Sequence, residues 1–349
     1  MNSRQRVKNI LDHRPVDKPA VQYYYTDVGA YEHGEKLNDL FAKYPGDFGP
    51  FARIAPPVLD SDKFEPDGRY YEVKTDAWGT VWEHRIYGRM GHAIGFPIPD
   101  KSSYKKYEFP LPPDYCGSPR VFVEKRKQVL RQKEDYMVFM GEGYAFLDRL
   151  IALRGFENAM SDLIEDGPEV NLFLDDLADY FLLSVRKLLG MGADCISFGD
   201  DYGSQNDCLL SPLLFKKTIA PRLARLMKPI REAGRYIYFH SCGQIKKIFS
   251  VLQELGVDAI WPQLPLYDMD DLAAECRTRG FALAIHTDRA FAMTSGTPDT
   301  VRALVRKEAA AFKPREGGGW FYIEVDHGFP FENIVALVEE IYALREEHD

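Results

Sequence analysis

His240 and Cys242 stand two residues apart in the run RYIYFHSCG, at the end of an apolar segment with the alternation of a β-strand. In an extended chain, residues two apart point to the same side, so this imidazole and thiol can face one ion together. Zinc accepts both donors, and a catalytic zinc site has three protein ligands and one open position. A third donor is therefore required. The last apolar run, WFYIEV, leads into Asp326 and His327. His327 is the expected third ligand, with Asp326 the alternative and Glu142 a weaker one. Without a metal, the same pair reads as a hydrogen-bonded histidine beside a small buried thiol, or as a nucleophilic Cys242 served by a histidine base.

Such a site needs a scaffold that brings several strand ends to one place. Short apolar, β-rich runs at 136–141, 194–199, 235–240, 258–261, 281–286 and 320–325 alternate with amphipathic helical patterns at 212–233, 245–255, 270–279, 300–312 and 331–346. With 20–25 and a weaker candidate at 51–55, the strands number eight. The pattern predicts an α/β fold, a TIM-type (β/α)8 barrel occupying residues 1–349 as one domain, with reactive residues in the loops after the strands. Those loops hold Glu142, Asp201, Gln205, Cys242, Gln263, His286 and the Asp326–His327 pair. Any one of them serves equally well as a helix cap; the concentration of His, Cys and carboxylate sets the group apart. Residues 60–115, rich in Pro, Gly, Tyr and charge, interrupt the rhythm. Alternation at 69–74 and 79–83 suggests a β-hairpin inserted near the mouth, as a lid or as an edge sheet remote from it.

Composition removes several classes. A formal net charge of −9 with no offsetting basic stripe argues against nucleic acid as a partner. No apolar run is long enough to span a membrane, and the opening MNSRQRVKNILDHRP lacks the apolar core of a secretory signal, so a cytoplasmic location is expected. Five widely spaced cysteines, at 116, 195, 208, 242 and 276, do not read as a disulfide framework.

The stretch GDDYGSQNDCLLSPLLFKKTIAPRLARLMKPIREAGRYIYFHSCGQI, at 199–245, resembles the uroporphyrinogen decarboxylase superfamily, in its branch of cobalamin-dependent methyltransferases. RQRVKNILDHRPVDKPAV, TDAWGTVW, LRGFENAMSDL and DHGFPFENI extend the likeness over most of the chain. The resemblance implies a TIM-type barrel. It also implies a zinc held by a His-x-Cys pair, matched here by His240 and Cys242, plus a distal cysteine or histidine. No cysteine follows Cys276, and the Asp326–His327 segment takes the distal place. The decarboxylase itself matches poorly, because its arginine-rich substrate motif is replaced by VQYYYTDVG.

The reaction so implied is methyl transfer between a small methyl donor or acceptor and a corrinoid (cobalamin) carried by a partner protein, since no Asp-x-His-x-x-Gly corrinoid motif occurs in the chain. Demethylation of an O-methyl compound is the expected direction; transfer to a thiol and a metal-free lyase are the competing readings. On this view Asp326, Asp201 and Glu142 orient a ligand or handle the leaving-group proton. Tyr24, Gln205 and Gln263 contact substrate, and His286, in HTDR where related chains often carry a glycine-rich turn, adds a donor at the rim. A homodimer is implied by the resemblance alone.

Overall fold

The computed structural model describes residues 1–112 and 117–347, with the backbone alone for Glu142. Its centre is a curled parallel sheet. In chain order the strands are β1 (Val21–Tyr25), then, after an antiparallel insertion of β2 (Glu72–Thr75), β3 (Val81–His84) and β4 (His92–Gly95), the strands β5 (Phe139–Gly143), β6 (Cys195–Gly199), β7 (Tyr236–Ser241), β8 (Ala259–Pro262), β9 (Ala282–Ile285) and β10 (Gly319–Val325). The parallel sheet runs β1-β10-β9-β8-β7-β6-β5. That it curls into a ring is shown by rings that meet across it. Tyr238 of β7 and Trp320 of β10 lie 5.5 Å apart although two strands separate them in the sheet, and Phe139 of β5 lies 6.4 Å from Trp320. These residues, with Cys195, Ala259, Ala282, Ala284 and Tyr322, fill the inside of a TIM-type barrel, while a second apolar layer packs the strands against the outer helices.

The expected eighth strand at 51–55 does not form. No strand pairs with the free edge of β1 among the described residues. The seam between β1 and β5 is occupied by an irregular segment in which Gly46, Gly49 and Pro50 disfavour a ladder. Asp47 alone imitates one, its N–H donating to the Val21 carbonyl at 2.7 Å and its carboxylate accepting the Val21 N–H at 3.0 Å. Phe48 closes the gap, its ring 5.1 Å from Phe139 and 5.4 Å from Trp320.

Helix boundaries follow local chemistry. Thr297 caps Pro298–Phe312 and Asp268 caps Met269–Arg279, which ends at Gly280 in the left-handed region. The expected helix at 212–233 breaks into Pro212–Thr218 and Ala220–Glu232, because Pro221 has no N–H to continue the first segment. In the insertion, β2, β3 and β4 form a three-stranded antiparallel sheet, the predicted hairpin plus one strand. Thr80 donates its hydroxyl to the Ala152 carbonyl, and Arg89 crosses to pair with Asp326 beyond the end of β10. Among the described residues no helix is long and apolar enough to cross a membrane.

Candidate metal centre

The alternation of β7 places Tyr238 and His240 on one side, facing into the ring, and carries Cys242 one step past the strand end. The His240 Nδ1 lies 2.8 Å from the Trp261 carbonyl oxygen. A carbonyl only accepts, so the proton sits on Nδ1 and the lone pair of Nε2 is free. Nε2 points at the Cys242 sulfur, 3.5 Å away, and lies 3.8 Å from Oδ1 of Asp201. That same Oδ1 accepts the Cys242 N–H at 2.9 Å. The donor atoms of Asp201, His240 and Cys242 all lie within 4.8 Å of one another.

This constellation depends on two loops held backbone to backbone. Gly203, after β6, and Gly243, after β7, approach so closely that a Cβ on Gly243 would stand 2.1 Å from the Gly203 carbonyl carbon. Around them, Tyr202 N–H donates to Ser241 Oγ, Gln244 N–H to the Ser204 carbonyl, and Gly243 N–H to Gln263 Oε1. Gly243 also has φ of +78°, which costs a residue with a side chain about 1–3 kcal/mol. Gly243→Ala is therefore expected to part the loops, lowering both the melting temperature and metal content. Gly280→Ala shares the positive φ but meets nothing within 4 Å, and should lose stability only. Equal metal content in the two variants would contradict this account.

The electrostatics suit a cation. Burial lowers the His240 pKa to about 4, so the ring is neutral, as a ligand must be. Burial, then the charge of Asp201, pushes the Cys242 thiol up to about 12. A sulfur so placed gains most from a positive partner, and Arg289 supplies one in part. Its Nη2 lies 3.6 Å from Sγ, while Nη1 is 3.2 Å from both carboxylate oxygens of Glu324. Beneath, the buried Asp200 accepts the N–H groups of Phe146, Leu147 and Asp148, capping the helix Leu147–Arg154. Asp148 accepts the Asp201 N–H and is raised to about 8, by burial first and then by the charges of Asp200 and Asp201.

The other expected residues are dispersed. His327, expected as the third ligand, is turned outward. Its Nδ1 lies 2.5 Å from Glu32 Oε1, the side chain is 46% exposed, and it is not part of the donor cluster. The Glu32 carboxylate on the helix Asp27–His33 also takes the Gly328 N–H, which fixes the loop in that sense. Asp326 is buried, held by Thr26 and Arg89. The side chain of Glu142 lies outside the described residues; its backbone belongs to β5, which starts later than expected. His286 is buried between the carbonyls of Pro262 and Thr287 instead of standing at the rim. Gln263 is engaged by Gly243, and Gln205 is exposed in its loop. Tyr24 is 45% exposed and starts a line of rings leading inward, with Tyr322 at 6.1 Å, then Trp261 at 4.4 Å from Tyr322, then His240 at 3.9 Å from Trp261. Sequence reasoning assigned no role to Asp148, Arg289 or Glu324. For Glu324 a signal existed, a lone carboxylate at an inward position of an otherwise apolar strand.

Fold and donor set together define a TIM-type barrel protein with a three-donor cluster at the carboxyl ends of its strands. Residues 123–344 match the family model of uroporphyrinogen decarboxylase (URO-D), and the chain belongs to that family. Among solved structures, a methyltransferase from Methanosarcina mazei superimposes with a TM-score of 0.68 over 98% of this chain and 99% of that one, at 18% identity. This likeness confirms the barrel from end to end. Endo-glycoceramidase II from Rhodococcus sp. (TM-score 0.38, 12% identity, 80% of each chain) and 3-keto-D-glucoside 4-epimerase from E. coli (0.36, 13%, 72% of this chain and 95% of that one) match more loosely. No curated protein matches the chain significantly in sequence.

Proposed function

We propose that this protein is a zinc-dependent methyltransferase that moves a methyl group between a small O-methylated compound and a corrinoid carried by a partner protein. The observation that carries the reading is the convergence of Asp201, His240 and Cys242 from two adjacent strand ends. Thiolate, imidazole and carboxylate form a donor set that zinc accepts, and three protein donors leave a position for substrate. On this reading His240 holds the ion through Nε2, Cys242 through sulfur and Asp201 through a carboxylate oxygen, with Asp201 in the place first expected of His327. Bound zinc supplies Lewis acidity toward a substrate heteroatom. Membership of the URO-D family and the full-length likeness in fold to a methyltransferase support the reading.

The remaining roles belong to the chain itself. The Trp261 carbonyl orients the imidazole. The rings of Tyr24, Tyr322 and Trp261 make a wall suited to a flat methoxylated substrate. Asp326, buried at the mouth, handles the proton of the leaving group. The inserted sheet of β2, β3 and β4 covers the mouth through Arg89, a role supported by the pairing of that residue with Asp326.

The test combines metal analysis with an assay. Protein purified without added metal should carry zinc. Under reducing conditions it should methylate a low-valent corrinoid protein at the expense of a methoxylated aromatic. Chelation should depress that rate by at least an order of magnitude, and zinc should restore it. A chain that contains no zinc, or works equally well after chelation, is a metal-free enzyme and the proposal fails.

A further inference from the structure

Arg289 sits where a cation serving Cys242 already has something to neutralise. It lies past the end of β9, in the sequence HTDR, and reaches across the mouth with one nitrogen on each of two groups. Nη2 is 3.6 Å from the Cys242 sulfur, and Nη1 is 3.2 Å from each oxygen of Glu324. Glu324 is 8% exposed and alternates with Trp320 and Tyr322 along the inward side of β10. Among the described residues its carboxylate accepts hydrogen bonds from Arg289 alone. The guanidinium thus bridges a sulfur that belongs to the donor cluster and a carboxylate that does not.

Two cations do not share one sulfur at low cost. A divalent ion among Asp201, His240 and Cys242 would repel a guanidinium in contact with the same thiolate, and at a partly buried site that repulsion is screened less than between exposed charges. Arg289 need not leave the mouth to relieve it. Nη1 can stay on Glu324 while Nη2 turns away from sulfur, since the planar fork carries its donors in separate directions.

Resting on the zinc reading above, we infer that Arg289 is a resident counter-cation that competes with the metal for Cys242, and that Glu324 retains it beside the site when the metal enters. Arg289 is then a positioning residue whose charge sets how tightly the ion is held. Glu324 acts in the opposite sense, offsetting part of that charge and so favouring the ion.

The test is metal affinity, measured on the full chain by competition with a chromophoric chelator. Cobalt(II) serves as a second probe, because its thiolate charge-transfer band reports directly on Cys242. Arg289→Met removes the charge and keeps most of the bulk, and should bind zinc at least tenfold more tightly than the unaltered chain with the cobalt band preserved. Arg289→Lys keeps the charge and should stay within about threefold. Glu324→Gln leaves the guanidinium uncompensated and should bind zinc several-fold more weakly. It gives an independent reading should the methionine variant fold poorly. A cobalt–thiolate band with zinc affinity unchanged or weakened in Arg289→Met, or unchanged in Glu324→Gln, overturns the inference and leaves the zinc site standing. Absence of the band from the unaltered chain and every variant overturns the zinc site, and the inference with it.

Discussion

Cys242→Ala is expected to leave the barrel folded and to empty its cation site. The sulfur is partly buried and its hydrogen bonds, 3.5 Å to His240 and 3.6 Å to Arg289, are the weak ones that sulfur makes, so little stability is lost with it. A stability cost of about 1 kcal/mol is the scale for one buried atom of this size. The effect on metal is of another order. Loss of a residue that merely orients a metal ligand costs 10–100-fold in affinity or activity, so loss of the donor itself should cost at least about a hundredfold. Zinc per chain after dialysis against a chelator should fall to background, and methyl transfer with it, while the thermal transition moves by only a few degrees. Retained zinc would remove Cys242 from the ligand set. A collapsed transition would make it a packing residue.

The second large effect lies at the opposite end of the barrel. Asp47 is 2% exposed and receives four donors, namely Ser3 Oγ at 2.9 Å, Arg6 Nη1 at 2.5 Å, Val21 N–H at 3.0 Å and Arg345 Nη1 at 2.6 Å. It thereby ties the first helix, β1 and the last helix together. Burial works to raise its pKa, but the charges of Arg345 and Arg6 and the Val21 N–H outweigh that and hold the carboxyl below its usual value. A carboxyl lowered in the folded state contributes stability that is fully present above the unfolded value, near 4, and is lost as pH falls through the folded value. Asp47→Ala leaves two buried guanidiniums short of a partner, a change that costs about 3–5 kcal/mol. At roughly 1.4 °C per kcal/mol for a chain of this length, the melting temperature at neutral pH should drop by about 5 °C. The gap between variant and unaltered chain should narrow in acid. A drop of less than about 2 °C at neutral pH would show that this network adds little.

What the sequence revealed was what it encodes locally. The barrel was legible because its strands are short apolar runs at regular spacing, and the His240–Cys242 pair because a period of two is a property of any strand. Asp201 was visible as a polar residue after β6. Its approach to the pair, however, depends on the contact of Gly203 with Gly243, and no pattern in the sequence announces two glycines 40 positions apart pressed backbone to backbone. His327 was expected inside because it follows β10, and its outward turn is dictated by Glu32, a partner from the other end of the chain. The missing strand at 51–55 had a local warning in Pro50, Pro56 and Pro57. Arg289 and Glu324 were assigned no role for a different reason. Arg289 is one polar residue among several after β9, and the lone carboxylate of Glu324 in its apolar strand does not say what it pairs with; only the closing of the ring makes them neighbours.

The seam between β1 and β5 bears on how this ring tolerates change. A fully laddered hoop spreads any strain around its whole circumference, whereas a hoop with one unlaced line gathers strain there. Outward movement on that side separates the rings of Phe48, Phe139 and Trp320 without breaking a strand pairing. The β6–β7 edge that bears the three donors is laced on both sides, by β5 and by β8. The molecule can therefore give way at its clasp while the jaw formed by the three donors keeps its shape.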